Sequence, residues 1–283
     1  MDTCSDLNAI KMNDKNLVAT LIIVHKAHPT LSEKASLKQY KKVLGHYPSY
    51  LICPKGLDVS AYQTIFPNII IDYIPPKWQK TYESFARLKI DPFIYKRYRR
   101  YKYVLFYELD AWVFRDELKN WCNKNYDYIG APWFKETNEE ESLEKAFIGV
   151  GNGGLSLRKT SSLLKVLYSF SYVYTYKECF VYLNKNKNLS RLSRIVSLFK
   201  NFTIANNTFW LFNNFKSGED VFWGLYISRK FDWFSIPNCN EALKFSFEKR
   251  CEESFKHLNG HLPFGCHKWE NENEISFWKD YIK

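Results

Sequence analysis

The sequence predicts an α/β protein built on a mostly parallel sheet with helices on both faces. Three observations carry this. Short apolar runs, "LVATLIIVHK" (17–26), "SYLIC" (49–53) and "NIIIDY" (68–73), recur with helical spacing between them. Such continuous runs are how strands buried on both faces read. A fourth run, "YVLFYELDAWVF" (103–114), repeats the pattern after more helix, and strand alternating with helix is the signature of a parallel sheet.

Each element follows from its residues. In "TLSEKASLKQYKKVLG" Leu37, Tyr40, Val43 and Leu44 recur at helical spacing, and Gly45 is a C-terminal cap. A helical stretch runs around Thr81 to Leu88. Asp91-Pro92 then reads as N-cap and first turn of a helix through "FIYKRYRR". "YDYIGAPWF" is a short strand entering a turn, and "VGNGGLSLRKT" a glycine-rich loop followed by a strand. A mostly helical insert spans about 160–212. "SGEDVFWGLYISRK" reads as a helix with an acidic first turn, "FDWFSIP" as a strand, and the chain closes on a short helix. No repeat, low-complexity tract or linker interrupts it, so residues 1–283 are expected to form one domain.

Composition narrows the partners. A formal net charge of +11 favours anionic ones: nucleic acid, phosphorylated substrates or an acidic membrane surface. No nucleic-acid module signature is present, and no nucleic-acid partner is expected. No run approaches the ~20 apolar residues of a membrane span, and the polar N-terminus lacks a signal h-region. Seven scattered cysteines without a CxxC pair fit a reducing cytoplasm.

The chemistry-bearing motifs sit at element ends. In parallel sheets ligands lie at the carboxyl ends of strands, where Glu108 and Asp110 fall. Side chains alternate along a strand, so the two carboxylates point the same way while Leu109 points into the core. A divalent cation relieves their repulsion, and oxygen ligands suit Mg²⁺ or Mn²⁺; the plainer alternative is a capping carboxylate beside a solvated one. "GNGG" (151–154) allows close backbone approach, as a tight turn or as a substrate-bordering loop in which Asn152 offers its amide. Glu219 and Asp220 open a helix, where the dipole favours acids; the functional alternative is a general base. His267 in "GCHKW" is either a half-buried turn histidine or a nitrogen ligand beside Asp110. A zinc site from Cys251, His257, His261, Cys266 and His267 matches no standard spacing.

Taken in order, a strand ending in "LDA", then "YDYIGAPW", "GNGGLSLR", "EDVFW" and "PFGCHKW", resemble a glycosyltransferase family of the GT-A fold over roughly residues 17–269. The resemblance implies a Rossmann-like sheet and transfer of a sugar from a nucleotide-diphosphate donor, UDP favoured, to an acceptor hydroxyl in surface glycan or glycolipid synthesis. It implies an Asp-x-Asp motif holding Mn²⁺ or Mg²⁺. Asp110 matches its second acid, while Glu108 replaces the first and would act directly, through water or on the ribose. His267 would complete the metal site, and Asp220, beside Glu219, would serve as base in an inverting displacement. His25, Lys26 and Arg87, with Glu108, Leu109 and Asp110, would face the nucleotide. Asn152, Gly153, Gly154 and Trp133 would border donor sugar and acceptor. A retaining transferase, a basic nucleic-acid binder and a non-catalytic sugar binder are the alternatives.

One stretch lies outside that frame. In "NLSRLSRIVSLFKNF" (188–202), Leu189, Leu192, Ile195, Val196, Phe199 and Phe202 share a side, with Arg191, Arg194 and Lys200 elsewhere. The stripe faces either the core or an anionic membrane. The second reading implies a lipid-linked acceptor and a berth on the inner face of the cytoplasmic membrane.

Overall fold

A computed structural model describes residues 16–135, 142–170, 177, 190–203, 213–215 and 217–282. The central sheet is built from β1 (Val18–Ile23), β2 (Ser49–Pro54), β3 (Ile70–Ile74) and β4 (Tyr103–Tyr107). Next in the chain come β5 (Ala111–Val113), β6 (Tyr128–Ile129) and β7 (Pro132–Phe134). After β8 (Phe147–Val150) comes β9 (Leu155–Lys159), and late in the chain β10 (Ser246–Phe247) and β11 (Gly265–His267). The main sheet has the order β3-β2-β1-β4-β9-β6. β1 to β4 run parallel, and β9 lies antiparallel between β4 and β6. The expected α/β class, a mostly parallel mixed sheet flanked by helices, is the observed one.

Period-two alternation divides the core. Val18 and Ile22 of β1, with Tyr103, Leu105 and Tyr107 of β4, pack on one face against Leu37, Tyr40 and Leu44 of the helix Leu31–Leu44. Ala19, Leu21, Ile23, Val104 and Phe106 pack on the other against Ile94, Tyr95, Leu163 and Trp223. Burial on both faces explains why the strands read as unbroken apolar runs. Thr30 and Glu33 form a reciprocal capping box at the start of the first helix. At its end Gly45 keeps a helical φ of −65°, so the glycine is there for room: a Cβ would lie 2.3 Å from the Lys41 carbonyl oxygen. Asp91 caps Pro92–Arg97 by accepting from the Phe93 amide.

Several expectations change. Residues 103–114 are two strands, not one: β4 stops at Tyr107, and the Ala111 amide bonds the Glu108 carbonyl at 2.9 Å to close a turn before β5. "FDWFSIP" is irregular, because Ser235 exchanges its amide and carbonyl with Asp127 alone rather than with a neighbouring strand. "SGEDVFWGLYISRK" is helical but winds as a π-helix over Phe222–Ile227. Of the insert, Thr160–Leu167 and Arg191–Thr203 are helices; residues 171–176 and 178–189, Leu189 among them, lie outside the described ones. The helix expected at the C-terminus is Ile275–Trp278. Among the described residues no helix is long and apolar enough to cross a membrane.

A smaller sheet, ordered β10-β11-β5, brings the C-terminal part back to the main one. β11 runs antiparallel to β5 with His267 opposite Ala111, and this pairing positions the site. Leu105, fully buried in the central strand, tests the core. Its substitution by Ala should lower stability by ~2–5 kcal/mol in urea unfolding; a loss under about 1 kcal/mol would show that this strand is not central.

Candidate active site

The turn after β4 builds the acidic pair. Glu108 donates its amide to the Gly154 carbonyl at 2.8 Å, which ties the turn to the glycine-rich loop. Leu109 is buried, and both flanking carboxylates face His267. Turn geometry, rather than strand alternation, aims them together. His267 Nε2 lies 3.1 Å from Asp110 Oδ1 and 3.7 Å from Glu108 Oε2. Each of the three residues offers a ligand atom within 4.8 Å of the others. Asp110 Oδ1 and His267 Nε2 are both buried, yet neither makes a hydrogen bond. Buried polar atoms are rarely left so. With the imidazole neutral, an oxygen and a nitrogen this close and without hydrogen-bond partners fit a divalent ion held by both.

Beneath the pair lies a buried ionic cluster. The Lys89 ammonium is ion-paired to Glu108 and sits 3.1 Å from Glu219 Oε1. Arg158, fully buried, reaches the same Glu219 oxygen at 3.1 Å. Burial opposes the charge on Lys89, but Glu108 and Glu219 outweigh it and raise its pKa. Burial likewise favours neutral Glu108, but Lys89 and then His267 hold its carboxyl well below the usual range. Desolvation of His267 is outweighed by Asp110, Glu108 and Glu248, so its imidazole titrates well above the ordinary value. Desolvation and the neighbouring Glu219 raise the Asp220 carboxyl.

The glycine-rich loop acts by leaving space. A Cβ on Gly154 would meet His267 Nε2 at 1.9 Å, and one on Gly153 would meet Glu219 Oε1 at 1.8 Å. Asn152 is buried with a left-handed φ of 61°. Its side-chain Oδ1 accepts from the Gly154 amide at 3.1 Å, and its Nδ2 lies 2.9 Å from His267 Nδ1. Trp133 on β7 covers Gly151, where a Cβ would strike the indole. Asp220 is half-buried and accepts from the Val221 amide at 2.9 Å. Glu219 is the buried member of that acidic pair, clamped by Lys89 and Arg158.

A cleft of ≈ 540 Å³ opens over the carboxyl ends of β1 and β4. His25, Lys26, Glu108, Leu109 and Asp110 line it together with Gln79, Thr81 and Tyr82. Lys26 is paired with Glu33 at 2.8 Å. The Arg87 guanidinium donates instead to Asn213 at 2.7 Å and is not among the residues lining the cleft. A larger groove of ≈ 750 Å³ follows Lys34, Lys38, Lys41 and Lys42; with no acid, imidazole or thiol, it offers charge but no catalytic group. The zinc alternative finds no centre among the described residues. His257 Nε2 pairs with Asn240 and His261 Nδ1 with the Leu258 carbonyl, while Cys251 and Cys266 sit in an aromatic core cluster.

Sequence reasoning did not single out Lys89, Arg158 or Glu248. Arg158 lies within "GNGGLSLR", where an arginine in a buried strand is itself a signal. Lys89 and Glu248 carry none, because each meets its partner only across the fold.

A family described as "Protein of unknown function (DUF5672)" matches residues 68–267. No curated protein matches the sequence. Among solved structures, mouse xyloside xylosyltransferase 1 in its apo form is similar at 8% identity and a TM-score of 0.49, over 88% of this chain and 97% of that one. A glycosyltransferase involved in glycosylating the major capsid of PBCV-1 is similar at 10% identity and TM-score 0.43, over 93% and 98%. The galactosyltransferase LgtC, solved with donor and acceptor sugar analogues, is similar at 9% identity and TM-score 0.42, over 90% of each chain.

The loop geometry is directly testable. Gly154→Ala should displace the buried His267 ring and abolish any stabilisation by Mn²⁺ in a thermal melt. A variant that melts like the parent, with its manganese response intact, would show that the loop can yield and that Gly154 is not required for room.

Proposed function

The chain belongs to the family described as protein of unknown function (DUF5672), and we propose that it is a single-domain, metal-dependent glycosyltransferase of the GT-A type. It would move a sugar from a nucleotide-diphosphate donor, UDP favoured, to an acceptor hydroxyl in glycan or glycolipid synthesis. One observation carries the reading: Asp110 Oδ1 and His267 Nε2, buried and without hydrogen-bond partners, converge beside Glu108 at the edge of the ≈ 540 Å³ cleft. The motif order read from the sequence supports the same assignment.

Bound Mn²⁺ or Mg²⁺ supplies Lewis acidity toward the charge that develops on a departing diphosphate. The protein's own residues do the rest. Asp110 and His267 hold the ion, and Glu108, pinned by Lys89, adds negative charge without moving. The cleft beside His25 and Lys26 accepts the nucleotide. Asp220 takes the proton of the acceptor hydroxyl as its oxygen attacks the anomeric carbon and the nucleotide diphosphate leaves, inverting that centre. Its raised pKa brings it toward the range of an effective base. Glu219, held by two cations, anchors the helix start instead. Gly153 and Gly154, with Asn152 and Trp133, form the wall beside the transferred sugar.

The helix Arg191–Thr203 supports a membrane berth for this enzyme. Leu192, Ile195, Val196 and Phe199 are all exposed, at spacings that place them on one face. The flanking sequence has no Asp or Glu between Glu178 and Glu219. An exposed apolar stripe in a cationic segment suits an anionic leaflet, and with it a lipid-linked acceptor and a peripheral, cytoplasmic-face location.

Two measurements test the assignment. A panel of nucleotide sugars with Mn²⁺ should contain a donor that raises the melting temperature, since ligand at 100 times its Kd stabilises by about 2.7 kcal/mol. EDTA or Asp110→Asn should remove that shift, and a shift indifferent to both would take Asp110 out of the site. Asp220→Asn should bind donor normally while turnover falls by ~10²-fold or more; undiminished turnover would leave Asp220 a mere helix start.

A further inference from the structure

The two ring nitrogens of His267 face different chemistry. Nε2 faces Asp110 and Glu108; Nδ1 faces the Asn152 amide nitrogen at 2.9 Å and Glu248 Oε1 at 3.4 Å. These two neighbours make opposite demands. Asn152 can only donate there, because its side-chain Oδ1 already accepts from the Gly154 and Leu155 amides, which fixes how the side-chain amide is turned. To receive that hydrogen bond, a neutral imidazole must carry its proton on Nε2, and Nε2 then cannot ligate. Glu248 can only accept. It requires the proton on Nδ1, and that tautomer presents the Nε2 lone pair to Asp110 and Glu108.

Resting on the divalent-ion reading above, we infer that Glu248 is a positioning residue: it takes the Nδ1 hydrogen of His267 and so commits Nε2 to the metal, in competition with Asn152. The fold puts it there deliberately close. Phe247 and Cys266 are register partners in the parallel β10–β11 ladder, so Glu248 and His267 follow side by side. Glu248 is buried. The backbone of Lys268 turns into a left-handed φ of 52°, and its ammonium reaches the same Glu248 oxygen at 2.8 Å. A carboxylate behind a ligating histidine fixes both tautomer and ring direction, and losing such a partner typically weakens metal affinity ~10–100-fold.

The test compares Mn²⁺ affinity, by electron paramagnetic resonance titration of free Mn²⁺, in the parent protein, Glu248→Met and Glu248→Gln. Glu248→Met has no acceptor and should bind Mn²⁺ ~10–100-fold more weakly. Glu248→Gln keeps a carbonyl acceptor but not the charge, and should fall between the two; it carries the test if the Met variant does not fold. Long-range ¹H–¹⁵N spectra with Mg²⁺ should show the His267 proton on Nδ1 in the parent and on Nε2 in Glu248→Met. Unchanged affinity in both variants, or a parent ring protonated on Nε2 when loaded, overturns the inference while leaving the ion site standing, provided Asp110→Asn still abolishes binding. A parent that binds no Mn²⁺ overturns both.

Discussion

The structure depends on how it keeps several carboxylates together under a cleft. Glu219 and Glu248, both buried, crowd one corner with the half-buried Glu108 and Asp110, and unpaired charge there would be destabilising. Lys89 and Arg158 answer the acids on one side, and Lys268 answers Glu248 on the other. His267 stands in the middle, within 4 Å of three carboxylates. The cations leave Asp110 Oδ1 and His267 Nε2 without hydrogen-bond partners, side by side at the edge of this corner.

Packing serves that arrangement. The glycine-rich loop could be taken for a surface against which substrate lies. Its glycines also admit the His267 imidazole and the Glu219 carboxylate. A similar need shapes the helix after Asp220. A Cβ on Gly224 would lie 2.0 Å from the Val150 carbonyl oxygen, in the π-helical stretch Phe222–Ile227. π-turns recur at functional sites because the extra residue re-aims the chain. Here the wider turn follows the Glu219–Asp220 pair and carries the buried Trp223, whose indole donates to the Lys89 carbonyl at 3.2 Å. Loop, π-turn and ion cluster therefore hold one another.

The acid pair shows how a right expectation can have a wrong cause. Strand alternation predicts that Glu108 and Asp110 share a face. They do converge, but through a turn closed by the Ala111 amide, with β5 starting afresh beyond it. "FDWFSIP" shows the reverse. Its aromatic and β-branched residues favour a strand, but Asp127 satisfies the Ser235 backbone groups and no ladder forms.

By itself the sequence determined what local pattern can dictate. The buried parallel strands, the capped helices and the candidate ligands Asp110 and His267 are legible because burial period, cap chemistry and motif order are written in neighbouring residues. Only the tertiary structure decided which charges meet. Lys89, Arg158 and Glu248 lie 19, 61 and 19 residues from Glu108, Glu219 and His267 respectively. No periodicity links such residues. They become partners when β9 inserts beside β4 and β11 returns to β5, since a buried charge takes whatever counter-charge the chain topology brings within reach.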